Sequence, residues 1–101
     1  MVRWERTARS KPGKTREALG WAKEVAGFVN NKFPDQNAVQ VFSQQFGDYG
    51  TILWAVDADD AATLGQNLGQ LMGDDQYWAI VNKGAELVIE ASGQDKLWQE
   101  V

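Results

Sequence analysis

The chain has 101 residues, of which 44% are hydrophobic and 24% are charged, with a formal net charge of −4 and neither histidine nor cysteine. Without these two residue types it can form no disulfide, no thiolate metal site, and no Ser-His-Asp or Cys-His catalytic arrangement. The length fits a single domain spanning residues 1–101, and the composition is that of a folded chain.

The charge is unevenly distributed along the chain. Residues 1–32 carry eight Lys or Arg and three Glu, a net +5, whereas residues 33–101 carry two Lys and eleven acids, a net −9. Two differently charged surfaces of one domain are the simpler interpretation, and a basic rim for docking or for an anionic ligand is the alternative. The acidic majority and the lack of a recognised motif argue against nucleic acid as a partner. No apolar run approaches the ~20 residues of a membrane span and no apolar signal core is present, so we expect a cytoplasmic protein that does not bind membranes.

The first half of the chain predicts a strand and then a long helix. Residues 2–9 alternate with a period of two, and one apolar-leaning face carries Val2, Trp4, Arg6 and Ala8. Pro12-Gly13 ends the strand, and residues 14–33 predict an amphipathic helix. Its broad stripe contains Ala18, Ala22, Val25, Val29 and Phe33.

Residues 38–46 and 51–57 predict a β-hairpin around a glycine-bounded turn in which Gly47 faces Gly50. That pairing predicts one face with Val39, Val41, Ser43, Gln45, Ile52, Trp54 and Val56, and a second face with Gln40, Phe42, Gln44, Phe46, Thr51, Leu53 and Ala55. Neither face is purely polar. We therefore expect the aliphatic face to pack against helices, and the aromatic and glutamine face to meet a partner or a cavity.

The second half predicts two helices and a closing strand. The acids within residues 57–60 begin a helix with an apolar stripe from Ala61 to Met72, and Asp74-Asp75 begin a shorter helix carrying Tyr77, Trp78, Val81, Ala85 and Val88. We interpret the adjacent acids as helix caps rather than as a metal site. Residues 95–101 alternate again and predict the last strand. The order β-α-β-β-α-(α)-β predicts a ferredoxin-like α+β fold with a four-stranded antiparallel sheet.

The turn Arg9-Ser10-Lys11-Pro12-Gly13-Lys14, placed between a charged strand and an amphipathic helix, resembles the dimeric α/β-barrel superfamily in its NIPSNAP-like and antibiotic-biosynthesis-monooxygenase-like branches. The acidic helix start at 57–60, the segment Asp74 to Trp78 and the terminal Asp95 to Trp98 extend the resemblance over nearly the whole chain. It implies a homodimer in which two sheets meet and enclose a pocket. Haem-degrading members generally hold iron through a histidine, which this chain lacks, so we expect no cofactor. Other members oxygenate or cyclise aromatic substrates without a cofactor.

The candidate ligand-binding residues are aromatic, amide or arginine side chains, and each also has a purely structural interpretation. The glutamines and Phe42 could line a cavity or a partly wet dimer interface, the arginine could bind an anion or form an ion pair, and the tryptophans could fill the core. The candidates are Arg3, Gln40, Phe42, Gln44, Trp54, Tyr77 and Trp98. No residue is assigned a catalytic role.

Three functions remain open at the level of sequence. The first is a homodimer that binds a small, largely apolar molecule in a cavity between sheet and helices or between subunits. The second is a cofactor-independent monooxygenase, cyclase or isomerase acting on an aromatic or polyketide-like substrate. The third is a structural or stress-associated interaction protein. The five tryptophans favour self-association in all three, because one small chain has little core in which to bury them.

Overall fold

The computed structural model describes residues 1–101 and has the element order that the sequence predicts. The elements are β1 (Val2–Arg9), α1 (Thr15–Lys32), β2 (Gln40–Ser43), β3 (Thr51–Ala58), α2 (Ala61–Met72), α3 (Asp75–Lys83), a 3-10 turn (Gly84–Glu86) and β4 (Gln94–Gln99). The four strands form one antiparallel sheet in the order β2-β3-β1-β4. The predicted ferredoxin-like α+β fold is confirmed.

The helices cover one face of this sheet. Helix α1 packs on β3, where the indole Nε1 of Trp54 donates to the carbonyl of Ala22 at 3.0 Å. The opposite face carries no helix, and we call it the open face. Within the strands it comprises Arg3, Glu5, Thr7, Arg9, Gln40, Phe42, Thr51, Leu53, Ala55, Asp57, Gln94, Lys96 and Trp98.

The core is small and lies where α1 meets the sheet. Three alanines spaced one turn apart, Ala18, Ala22 and Ala26, let the helix approach Ile52 and Trp54 closely. Only 14 of the 101 residues are buried, and several large apolar side chains are exposed. The chain therefore leaves much of its apolar surface outside this contact. None of its helices is both long enough and apolar enough to cross a bilayer.

The predicted hairpin register is wrong by two residues. Strand β2 pairs Gln40 with Ala55 and Ser43 with Ile52, and the ladder ends where the amide of Gln44 donates to the carbonyl of Thr51. Residues 44–50 form a loop, because Gly47 and Gly50 adopt left-handed φ angles of 97° and 87° that a strand does not use. A shift of two preserves the alternation of side chains, so the predicted faces are correct for the residues that remain in the strands.

The third helix is shorter than its apolar pattern predicts. It ends at Lys83, so that Ala85 lies in the 3-10 turn and Val88 forms a β-bridge with Ser10. Two contacts stop the helix. Gly84 lies directly against the indole of Trp21, and the backbone after the turn pairs with the end of β1 through a hydrogen bond from the amide of Ile89 to the carbonyl of Arg9.

The predicted caps of α2 and α3 are confirmed. The carboxylate of Asp60 accepts a hydrogen bond from the amide of Thr63, and that of Asp74 accepts one from the amide of Tyr77. The ammonium Nζ of Lys32 also donates to Oδ2 of Asp74 at 2.6 Å. This ion pair joins the last turn of α1 to the first turn of α3. The start of α3 is therefore held at a defined place beside α1.

A methyl group at position 84 tests the contact with Trp21. We expect Gly84→Ala to lower the free energy of unfolding by about 1–3 kcal/mol, because a Cβ there would overlap the indole. Gly20→Ala is the matched control, since a Cβ at Gly20 meets nothing within 4 Å, and it should stabilise α1 by about 0.5–1 kcal/mol. Urea unfolding measures both variants, and equal stability of Gly84→Ala and the unmodified chain would contradict the packing described here.

Candidate functional site

A hollow lies between the helix-covered face of the sheet and the three helices. Its volume is about 370 Å³, and 17 of its 23 lining residues are hydrophobic. The sheet forms the floor, α1 and α3 form the walls, and α2 forms the roof. The lining includes Trp4, Arg6, Ala8, Trp54, Val56 and Leu97 from the sheet, Trp21, Val25, Ala26, Val29 and Phe33 from α1 and its end, Ala61, Leu64, Gly65, Asn67, Leu68 and Leu71 from α2, and Tyr77 and Val81 from α3.

The indole groups beside this cavity present hydrocarbon to it. Trp54 donates its N–H to the backbone of α1, and Trp21 donates its own to the carbonyl of Ile80 at 2.9 Å. The two rings meet edge to face, with centroids 5.5 Å apart and an interplanar angle of 90°. Because both donors are already satisfied, these tryptophans act as rigid apolar walls.

Helix α2 spans the cavity without packing closely on the sheet. Its only buried residue is Leu71, and Leu68 is 39% exposed although it lines the cavity. Gly65 and Gly69 have no neighbour within 4 Å of the position that a Cβ would take. The amide of Asn67 donates to the amide oxygen of Gln36 and ties the roof to the segment that follows α1. The space below α2 is therefore left free by the packing of the chain itself.

Arg6 is the one charged residue that lines the cavity. It lies on β1 opposite both Trp54 and Asp95, and it donates from Nε and Nη2 to the two oxygens of Asp95 at 2.7 and 2.9 Å. The guanidinium also lies 5.0 Å from the ring centroid of Trp4. The hydrogen bonds from Arg6 hold the pKa of the Asp95 carboxyl below its ordinary value of 3.8. The cavity thus contains a paired charge, not a free one.

Tyr77 brings a second polar group close to this pair. The residue is 6% exposed and lines the cavity, and its ring packs beside Phe28 with centroids 6.2 Å apart. Its hydroxyl is near enough to Arg6 to contribute, after Asp95, to the raised pKa of the guanidinium. The polar end of the cavity therefore consists of a guanidinium, a carboxylate and a phenol.

The sequence candidates fall into three places. Trp54 and Tyr77 line the large cavity. Arg3 and Gln40 line a smaller hollow of about 230 Å³ beside Asp57, to which Arg3 is bound through a bidentate ion pair.

The remaining three candidates line neither hollow. Phe42 and Trp98 lie on the open face and are 47% and 54% exposed, and the indole of Trp98 donates to Glu5 at 2.9 Å. The amide of Gln44 donates to the carbonyl of Phe46 within the loop after β2. The structure therefore brings together only two of the seven candidates in the cavity below α2.

Arg6 is absent from the sequence candidates although it is the charged group of the cavity. The signal is present in the alternation of β1, since Arg6 shares its face with Val2, Trp4 and Ala8. An arginine on an apolar face needs a partner, and that partner is contributed by a strand 89 positions away in sequence. No group of three or more acidic residues is placed where it could hold a metal ion.

Comparison with known proteins finds similarity in structure and none in sequence. No family model and no curated protein matches the chain. The structure is similar to an uncharacterised NIPSNAP domain protein from Burkholderia xenovorans, with a TM-score of 0.82 at 16% identity, covering 100% of this chain and 95% of that one. It is similar to a NIPSNAP family protein from Agrobacterium tumefaciens, with a TM-score of 0.80 at 16% identity and coverage of 99% and 92%.

A third similar structure is a putative antibiotic biosynthesis monooxygenase from Nitrosomonas europaea, with a TM-score of 0.73 at 10% identity and coverage of 100% and 99%. The resemblance to the NIPSNAP-like and monooxygenase-like branches is confirmed at the level of the fold. At these identities the comparison identifies the architecture and leaves the chemistry to the side chains of this chain.

The Arg6–Asp95 pair predicts a pH dependence of stability. Because the folded-state pKa of Asp95 is lowered, its contribution is fully present above the ordinary pKa of 3.8 and is lost as the pH falls through the folded-state value. We expect Asp95→Asn to flatten the acid limb of a plot of unfolding free energy against pH. Arg6→Gln should flatten it similarly, and the double variant should show no further change. An acid limb in Asp95→Asn as steep as that of the unmodified chain would contradict this coupling.

Proposed function

We propose that the protein is a homodimer that binds a small, largely apolar molecule in the cavity below α2. The observation that carries this proposal is the cavity itself, at about 370 Å³ with mostly hydrophobic walls and a few convergent polar groups. A cavity of about 150 Å³ with apolar walls accommodates benzene. The volume here therefore suits a molecule with two or three rings, or an aliphatic molecule of equal size.

The free space also favours binding over a role in structure alone. A protein acting only as a structural or interaction module gains from filling its core, since each unfilled volume forfeits contacts. Here two of the α2 residues along the cavity, Ala61 and Gly65, are small, and the leucines of α2 that also line the cavity do not fill it. Catalysis as a monooxygenase, cyclase or isomerase would additionally require Arg6 or Tyr77 to act on a reacting atom. Binding requires only the cavity.

The second part of the proposal, the homodimer, is supported by the open face of the sheet. Phe42 and Trp98 are about half exposed there, and Leu53 on β3 lies directly beside Phe42. The charged residues of this face nearly balance, with Arg3, Arg9 and Lys96 against Glu5 and Asp57. A nearly neutral sheet face that carries exposed aromatic side chains among polar and charged ones suits self-complementary contact between two copies. Covering it would bury two of the aromatic residues that one chain leaves in solvent.

A side chain that grows into the cavity tests the binding proposal. We expect Gly65→Leu to reduce the affinity for 2-ethylnaphthalene by tenfold or more, because the new side chain enters the free space below α2. Gly69→Leu is the matched control, since it lies one turn further along the same helix, gains the same helix propensity and does not line the cavity. Isothermal titration calorimetry measures both. Equal affinities of the two variants, or no binding by the unmodified chain, would refute the cavity as a binding site.

A charged substitution on the open face tests the homodimer. Trp98→Lys should convert the dimer to a monomer at micromolar concentration in sedimentation velocity, while the new ammonium can still pair with Glu5. Trp78→Lys is the control, because Trp78 is 40% exposed and also donates one indole hydrogen bond, to Met72, but lies on α3 away from the sheet. A monomeric unmodified chain, or a dimer that Trp98→Lys leaves intact, would contradict the proposal.

A further inference from the structure

Hydrogen-bonding capacity at the polar end of the cavity is only partly used. A guanidinium has five N–H donors, and Arg6 commits two of them to Asp95. The hydroxyl of Tyr77 lies beside the guanidinium of Arg6 and interacts with it, and no group of the chain accepts a hydrogen bond from the O–H of Tyr77. Unused donors of both residues therefore remain at the cavity.

The charge at the same place is already balanced. Asp95 is the counter-ion of Arg6, and no other charged residue lines the cavity. A charged ligand would lose its hydration on entry and find no net opposite charge, which is costly in apolar surroundings. A neutral ligand avoids that cost. A ligand with no polar atom, in contrast, would cover the unused N–H groups and leave them without an acceptor.

Resting on the proposed binding function, we infer that the ligand is a neutral molecule with an apolar body and one hydrogen-bond-accepting oxygen, which the guanidinium of Arg6 and the hydroxyl of Tyr77 bind. The apolar body lies against the tryptophan walls and below α2. The oxygen accepts from donors that the Arg6–Asp95 pair leaves free. Arg6 then determines which chemical class enters, and the packed walls determine its size.

Three probe molecules of nearly the same shape distinguish a neutral acceptor, a molecule without a polar atom and an anion as the ligand. They are 2-acetylnaphthalene, which is neutral and carries a carbonyl oxygen, 2-ethylnaphthalene, which lacks the oxygen, and 2-naphthoate, which is an anion. We expect the ketone to bind about tenfold more tightly than the hydrocarbon, which is the difference expected of one hydrogen bond to a charged donor. The anion should bind more weakly than the ketone.

Two variants assign the preference to the named groups. Tyr77→Phe should reduce the affinity for the ketone severalfold and leave that for the hydrocarbon unchanged, whereas Tyr49→Phe, at a residue 82% exposed in the loop before β3, should change neither. The double variant Arg6→Met/Asp95→Asn removes the guanidinium without leaving an unpaired carboxylate, and it should remove most of the preference for the ketone over the hydrocarbon.

The outcomes distinguish this inference from the proposed function. One outcome is that the hydrocarbon binds, Gly65→Leu abolishes its binding, and the ketone binds no more tightly than the hydrocarbon. The proposed binding cavity is then supported, and the assignment of a neutral acceptor as its ligand is overturned. Tightest binding of 2-naphthoate would likewise overturn it in favour of an anion that displaces Asp95. If none of the three probes binds, the proposed function and this inference fall together.

Discussion

The close packing of α1 on β3 is the contact on which the rest of the structure depends. Alanines at successive turns of α1 bring its backbone near enough for Ala22 to accept the indole hydrogen of Trp54. This contact places one helix tightly on one half of the sheet. Helix α3 is then fixed to α1 by the ion pair of Lys32 with Asp74 and by the contact of Gly84 with Trp21. Helix α2 is tied to the segment after α1 by the hydrogen bond from Asn67 to Gln36 and gains no comparable contact with the sheet, so the space beneath it remains open.

The polar pair at the end of this space is a consequence of the same arrangement. Arg6 lies on the helix-covered face of a central strand with a side chain that is 34% exposed, so without a partner its charge would be partly buried and unpaired. Asp95 on the neighbouring strand compensates it through a bidentate interaction. The pair leaves a site that is electrically balanced but still able to donate hydrogen bonds. The otherwise apolar cavity therefore has one polar end and one apolar end.

Sequence patterns predict the elements of this fold well because the elements depend on local physics. The alternation in β1 and the spacing of Ala18 and Ala22 in α1 identify their buried faces, and the acids before α2 and α3 predict caps that the structure contains. The register in which the strands pair and the residues at which helices end are harder to predict. The hairpin register differs by two residues because the loop begins at Gln44 rather than at Gly47, and a run rich in β-formers does not reveal where the pairing ends. Helix α3 ends early because of Trp21, a residue of another helix.

The candidate site was predictable only in part for the same reason. Trp54 and Tyr77 are recognisable as aromatic residues on apolar faces, and both line the cavity. The pairing of Arg6 with Asp95 joins the first strand to the last, and nothing local to either residue specifies it. The volume below α2 depends on how far a helix stands from a sheet, which no single segment encodes. Fold, faces and caps can thus be read from the sequence, whereas cavities and long-range ion pairs require the assembled structure.

The central claim is that the space below α2 is a binding cavity in solution, and the five indole N–H groups of the chain report on it individually. In a ¹H–¹⁵N correlation spectrum recorded during titration with 2-ethylnaphthalene, we expect the indole resonances of Trp4, Trp21 and Trp54, which line the cavity, to shift. The resonance of Trp98, which lies on the open face outside the cavity, should stay in place. Shifts confined to Trp78 or Trp98, or no shift at any of the five, would contradict the account.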